Sequence, residues 1–332
     1  MKHVRLADIP WDEWTSPSGL FRGAGKQVSV ALGAVTNAHL AAGGHPFDLE
    51  FGRLPPGKSG CPFHSHSAQW ELFVIASGAG AVRHGEHTTT VRAGDAVMHP
   101  PGEAHQLTNT GDTELTYWLI ADNPLTEVWH YPDSNKIGYR PAGGVFRRQD
   151  VAYWDDQPDS AVEPRPAPPA TPPATFVTLA ELPWEEQRSP TGKYHSFSQN
   201  ISLALGGIRD VGTWGGGHPF DLQRRRIPVG ASICPLHRHT AQWELFIIQA
   251  GTATIRSGDG QRLVVTPGDI VLQPPGTAHQ FTNTGSTDAI VDIIADHHRA
   301  DSTYYPESDK WQIKPQRKLF RMVETDYFDG EE

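Results

Sequence analysis

His64-Ser65-His66-Ser67-Ala68-Gln69-Trp70-Glu71, followed by six residues and Gly78, is the most informative stretch of the chain. Side chains alternate along an extended strand, so His64 and His66 point to one face. Ser67-Ala68 reads as a turn, after which Gln69, Glu71 and Phe73 share a face of the returning segment. A hairpin of this kind brings His64, His66 and Glu71 to a common point. A second stretch, running from Gly94 to His105, contains a rigid Pro100-Pro101-Gly102 turn that launches a strand at His105. His105 then supplies a fourth ligand.

Both stretches return later in the chain. His64, His66 and Glu71 are matched by His237, His239 and Glu244 at an offset of 173 residues, and His105 by His279 after a one-residue insertion near Gly258-Asp259-Gly260. An insertion there suits a hairpin turn, where a change of length costs little. Between Gly44 and Arg83, 23 of 40 positions are identical in the second copy, and Leu6 to Trp11 reappears as Leu179 to Trp184. The repeat divides the chain into a first domain, 1–154, and a second domain, 176–332, each with N- and C-terminal arms. Residues 155–175, rich in Pro, Ala and acidic side chains, cannot bury a core and read as an extended linker.

With 33 Gly and 28 Pro in 332 residues, the sequence is broken into short segments of the kind that turn-rich β folds use. Trp70 to Ile75, Ala96 to Met98 and Leu115 to Ile120 are candidate strands. A net charge of -10, with no basic excess in either half, excludes the electrostatic footprint of a nucleic-acid binder. No apolar run has the length of a membrane span, and a cytoplasmic location is expected. The two cysteines, Cys61 and Cys234, occupy matched positions three residues before a ligand histidine and read as buried, reduced thiols rather than a disulfide.

The two stretches resemble the signature motifs of the cupin superfamily, G-x5-H-x-H-x4-E-x6-G and G-x5-P-x-G-x2-H-x3-N. The first departs from the pattern only at its opening glycine, a role that falls to Gly57 or Gly60; the second is complete from Gly94 through Asn109. The second copy repeats both, ending on Gly268, Pro274, Gly276, His279 and Asn283. The resemblance implies an all-β chain of two tandem cupin domains, conical β-barrels of jelly-roll type, similar to bacterial bicupins.

Three imidazoles and a carboxylate form a borderline donor set suited to one divalent transition metal per domain, Fe, Mn, Ni, Zn or Cu, rather than Ca or Mg. Gln69 and Gln242, two residues before the glutamates, are expected to face the same interior and to orient them or bind a substrate oxygen. Phe73, Leu107, Phe246 and Phe281 read as apolar lining of a substrate pocket. Asp292, inside an otherwise apolar run, reads as a pocket base or as half of a salt bridge at the domain interface. Asp95, Asp269, Asn109 and Asn283 read as turn residues, His45 and His218 likewise. His84, His87, His99 and His130 have no histidine counterparts in the second copy and are expected at the surface.

These observations favour a metal-dependent enzyme acting on a small polar metabolite. Dioxygenation is preferred to isomerisation or decarboxylation, because the ligand set holds a redox metal and leaves coordination positions open. Glu71 and Glu244, the only anionic ligands, are the candidate catalytic groups. The alternative is a non-catalytic protein that binds or stores a sugar or organic acid with the help of the metal. The duplication suggests an intramolecular pseudo-dimer, with a homo-oligomer as a further possibility. Nothing resembles a nucleophilic serine motif, a phosphate-binding glycine loop or a helix-turn-helix.

Overall fold

The computed structural model describes residues 1–140, 143–151, 173–314 and 316–326. The expected linker lies outside the described residues except for 173–175. The chain forms two compact units.

In the unit that carries the first copy, a large sheet contains, in spatial order, Asp95–His99, Glu71–Ser77, Leu115–Asp122, Phe47–Leu54, Arg22–Gln27 and Asp12–Thr15. A three-stranded sheet, His105–Thr108, Ala79–His84 and His87–Arg92, supplies the other wall. Phe73, Ile75, Val97, Leu115 and Tyr117 from the large sheet share one core with Val82, Val91 and Leu107 from the small one. Period two explains the selection: Phe73 and Ile75 point inward, and Glu71, two residues earlier on the same face, continues that inner row.

The second copy reproduces this arrangement. Asp269–Gln273, Glu244–Ala250, Ala289–Asp296, Phe220–Ile227, His195–Asn200 and Glu185–Arg188 form its large sheet, and Arg262–Val265, Ala253–Ser257 and His279–Asn283 its small one. Phe246, Ile248, Val271 and Val291 meet Ile255, Val265 and Phe281 in its core. The one-residue insertion falls between Ala253–Ser257 and Arg262–Val265, in the hairpin turn.

Asn109 and Asn283 serve as turn staples. The fully buried Asn109 amide donates to the Leu54 and Thr113 carbonyls and accepts from the Gly111 N–H; Asn283 does the same with Ile227, Thr287 and Gly285. Gly78 is required where it stands: its φ is +80°, and a Cβ would lie 2.7 Å from the Glu114 carbonyl oxygen.

The N-terminal arm departs from the boundary read off the repeat. Residues 1–10 and 27–35 belong to the compact unit built from 177 onward. Lys2–Arg5 pairs antiparallel with Asp269–Gln273, and His3 Nε2 sits 3.0 Å from Asp269 Oδ1. An open sheet edge presents unpaired N–H and C=O groups, and a short strand from elsewhere in the chain satisfies them. Asp269 therefore does more than hold its turn, where it accepts from the Thr266 N–H at 2.7 Å. No helix among the described residues is long and apolar enough to cross a membrane.

Candidate metal centres

In the first copy, His64, His66, Glu71 and His105 are all buried, and their ligand atoms lie within 4.8 Å of one another. The expected hairpin is not how they meet. Ser65–His66 pairs with Glu127–Tyr131, and His64 bridges His105 through main-chain hydrogen bonds of 3.1 and 2.7 Å, whereas Glu71 stands on the large sheet. The 67–70 turn cannot close a two-stranded ladder because its N–H groups are claimed elsewhere. The Glu127 carboxylate, fully buried, accepts from the Ser67, Ala68 and Gln69 N–H groups at 2.6, 3.0 and 2.8 Å.

The protonation pattern follows from the outer partners of the rings. His64 Nδ1 donates to the Pro62 carbonyl at 2.9 Å and His105 Nδ1 to the Glu103 carbonyl at 3.2 Å. A carbonyl only accepts, so each neutral ring carries its proton on Nδ1 and turns a bare Nε2 lone pair inward. His64 Nε2 and His66 Nε2 are 3.1 Å apart, and the Glu71 oxygens lie 3.4 Å from His66 Nε2 and 3.0 Å from His105 Nε2. Lone pairs and a carboxylate converging out of contact with water repel one another until a cation stands among them. The donor set fits a divalent transition metal.

The second copy uses the same logic with one difference. His237 Nδ1 donates to the Pro235 carbonyl at 3.0 Å, and His279 Nδ1 to the Thr277 carbonyl at 3.2 Å. Glu244 Oε2 lies 3.0 Å from His279 Nε2, 3.5 Å from His239 Nε2 and 3.8 Å from His237 Nε2. Glu244 Oε2 and His279 Nε2 are buried without a hydrogen bond of acceptable geometry. His237, Glu244 and His279 form the tight group, while His239 is drawn outward: its Nδ1 sits 2.8 Å from Asp301, the shorter acid at the position of Glu127.

Burial alone would raise the Glu71 carboxyl, but the positive charge that His66 and His105 carry when protonated, with the Nε2–H that His105 then donates, outweighs it and holds the group well below the usual carboxylate range. Glu244 is held low in the same way by His239 and His279. Burial pulls the His105 imidazole below its ordinary value, with Glu71 opposing only in part. A ring depressed in this way favours the neutral form when folded, so its stabilisation is complete above the free value of about 6.5 and is lost as pH falls through the lower folded value. Metal content, measured by elemental analysis after dialysis, is therefore expected to hold from about pH 8 to 6.5 and to fall on further acidification; full retention at about pH 4 would contradict competition by protons.

Several expected roles need correction. His99 is not at the surface: it is 1% exposed, its ring stacks on His105 at 4.1 Å, and its Nδ1 lies 2.9 Å from Glu103 Oε2. His84 is half-buried, 3.6 Å from the same carboxylate, and His130 is also partly buried. Asp292 neither lines the pocket nor bridges domains. Strand alternation turns Ile293 and Ala295 to the interior and Asp292 to the opposite face, where Arg224 holds it at 2.7 and 2.8 Å from the neighbouring strand.

Gln69 and Gln242 are buried beside their glutamates, but the structure gives their amides other partners. Gln69 donates to the Asp122 carbonyl, and Gln242 donates to Asp296 and accepts from Lys314 Nζ at 2.6 Å. Phe73 and Leu107 lie in the first core, and Phe246 and Phe281 face a cavity of about 450 Å³ that reaches the second metal centre. Both cysteines are free; Cys61 Sγ lies 3.6 Å from His64 Nδ1, and burial, followed by the Glu71 charge, pushes its thiol up to about 12.

The sequence profile of the cupin domain matches residues 50–121 and 223–294. The chain carries two cupin domains. Over 68 residues, 20% of its length, this bicupin is 34% identical to the oxalate-binding protein of Thermotoga maritima, and the match spans 55% of that relative. It is 26% identical over 161 residues, 46% of its length, to auxin-binding protein 1 of Arabidopsis thaliana, covering 72% of that protein. Among solved structures, oxalate decarboxylase of Bacillus subtilis matches with a TM-score of 0.53 over 91% of this bicupin and 78% of that chain, at 17% identity. A second structure of that decarboxylase, reported with its Mn(II) centres, matches equally well at 16% identity. At this identity the likeness establishes the shared bicupin fold.

Glu127 and Asp301 were missed by motif reading. Their signal was present in the repeat, since both are acids at matched positions beyond the second motif.

Proposed function

We propose that this bicupin is a metal-dependent enzyme acting on a small organic acid. The observation that carries the reading is the second metal centre opening onto a cavity of about 450 Å³ that also presents Arg225, whose guanidinium forms no salt bridge among the described residues, whereas Lys314 and Arg317 in the same wall are paired with Asp301 and Asp210. A guanidinium without a salt bridge beside a ligand set with room for a substrate suits a carboxylate, and the name of the oxalate-binding relative supports the same ligand class. One divalent transition metal per domain, drawn from Fe, Mn, Ni, Zn and Cu, would supply Lewis acidity and, if redox-active, an electron.

The chain's own groups define the remaining roles. His237, His239 and His279 present neutral nitrogen donors. Glu244 supplies the anionic ligand, as Glu71 does in the first copy, and is placed to exchange a proton with a bound acid. Phe246 and Phe281 keep the inner wall apolar and limit the entry of water.

Decarboxylation and dioxygenation both fit this site, and dioxygen separates them. Full-length protein loaded with Mn(II) or Fe(II) is offered a panel of small acids beginning with oxalate, while dioxygen uptake and carbon dioxide release are followed. Metal-dependent consumption of an acid supports the enzyme reading, with anaerobic arrest marking an oxygenase. An acid that binds and is recovered unchanged in both atmospheres would replace the enzyme by a binding protein.

A further inference from the structure

The two copies share their ligands but differ in what fills the space in front of them. Gly52 and Tyr117 are cross-strand neighbours in the first copy; at the matched places the second copy has Arg225 and Val291, again neighbours. The exchange is steric. A Cβ on Gly52 would lie 2.4 Å from the Tyr117 ring, so the missing side chain is what admits that ring into the interior. Tyr117 is 5% exposed, packs against Phe73, and closes the first copy's inner space with an aromatic wall. In the second copy the smaller Val291 is packed in the core and brings no ring to the interior, and Arg225 on the neighbouring strand lines the cavity.

Arg225, unlike the other cations lining the cavity, has no salt bridge among the described residues, although the Glu244 charge acts on it from a distance. Lys314 lies 3.2 Å from Asp301, Arg317 3.2 Å from Asp210 and Arg209 3.7 Å from Glu185. Arg225 instead donates to neutral partners, Gln187 and Gln223 at 3.1 Å and Ser196 at 3.3 Å, and its buried Nε has no hydrogen-bond partner. Among the described residues no carboxylate forms a salt bridge with it. A planar guanidinium held by neutral side chains with a donor to spare is arranged for an anion from outside the chain.

We infer that the copies have divided their roles: the second binds a substrate with two anionic groups, one directed to the metal ligands and the other to Arg225, while the first is closed to it by Tyr117. This deepens the organic-acid reading and rests on it. The cavity volume exceeds what oxalate alone would fill, which points to a longer dicarboxylate. Arg225 is a specificity-determining residue on this view, because an acid with one carboxylate reaches the metal and leaves the guanidinium unmatched.

Calorimetric titration of the Mn(II)-loaded full chain tests it, with oxalate, malonate and succinate as probes and acetate as the single-carboxylate control. The wild type should bind at least one dicarboxylate more tightly than acetate, at one equivalent per chain. R225Q should weaken that dicarboxylate about 10- to 100-fold while leaving acetate and metal content unchanged, the loss expected for hydrogen bonds to a charged group. R225K should fall between the two, since it keeps the charge and loses the fork. Equal dicarboxylate affinity in R225Q and wild type, or two equivalents bound per chain, would overturn the division of roles and leave the organic-acid reading standing. Failure of the wild type to bind any of the four probes would sink both together.

Discussion

Replacing Glu127 with alanine is expected to destabilise the unit carrying the first copy by about 3–5 kcal/mol and to weaken its metal about 10- to 100-fold. The carboxylate is fully buried and accepts from three successive main-chain N–H groups and from the Ser67 hydroxyl at 3.2 Å. Its removal leaves several buried donors without acceptors, each at a cost of about 1–3 kcal/mol, part of which water recovers. The metal should loosen because those N–H groups belong to the turn joining His66 to Glu71, and because Glu127 Oε1 lies 3.8 Å from His66 Nδ1. Glutamine should recover only part of the loss, since one of its two acceptor positions becomes an NH2 facing N–H donors. Denaturant melts and competition with a metal chelator read both effects, with the second centre as internal control. A variant within about 1 kcal/mol of wild type, binding metal normally, would show that the cap is dispensable.

Glu244→Gln is expected to lower turnover of the organic acid by at least about 100-fold, the usual scale for a group that transfers a proton in the reaction. The amide keeps the shape and one oxygen donor but removes the only anionic charge among the ligands of the second centre. Metal affinity should fall by a smaller factor, because His237, His239 and His279 remain. The informative quantity is the ratio of the two losses, from parallel assays of turnover and metal content. Loss of rate only in proportion to loss of metal would reduce Glu244 to a ligand and remove its proton role.

The metal ligands were legible because two constraints coincide in the sequence: strand alternation places His64 with His66, and a fixed offset repeats the whole set at His237, His239, Glu244 and His279. What brings them together was less visible. The pairing of Ser65–His66 with Glu127–Tyr131 joins residues about 60 apart, and no local pattern announces it. His99 was misread because the repeat served as a filter: its counterpart is Gln273, and Glu103, which partners it, is matched by Thr277. A buried group peculiar to one copy is discarded by that filter. Asp292 was misread for want of the strand's phase, since one step along it separates a cavity-facing residue from one that meets Arg224. Arg225 shows the same limit from the other side. In sequence it is the middle of Arg224-Arg225-Arg226, and only the fold sends it inward while Arg224 pairs with Asp292 and Arg226 with Asp288.

Each cupin copy is expected to hold its own metal through its own histidines and glutamate. Elemental analysis of purified full-length protein, wild type beside His64→Ala, His237→Ala and the double variant, tests it most directly. Close to two metal ions per chain are expected in the wild type, close to one in each single variant and almost none in the double variant. Wild-type protein that stays metal-free after exposure to Fe, Mn, Ni, Zn and Cu, or a single variant that empties both centres at once, would contradict it.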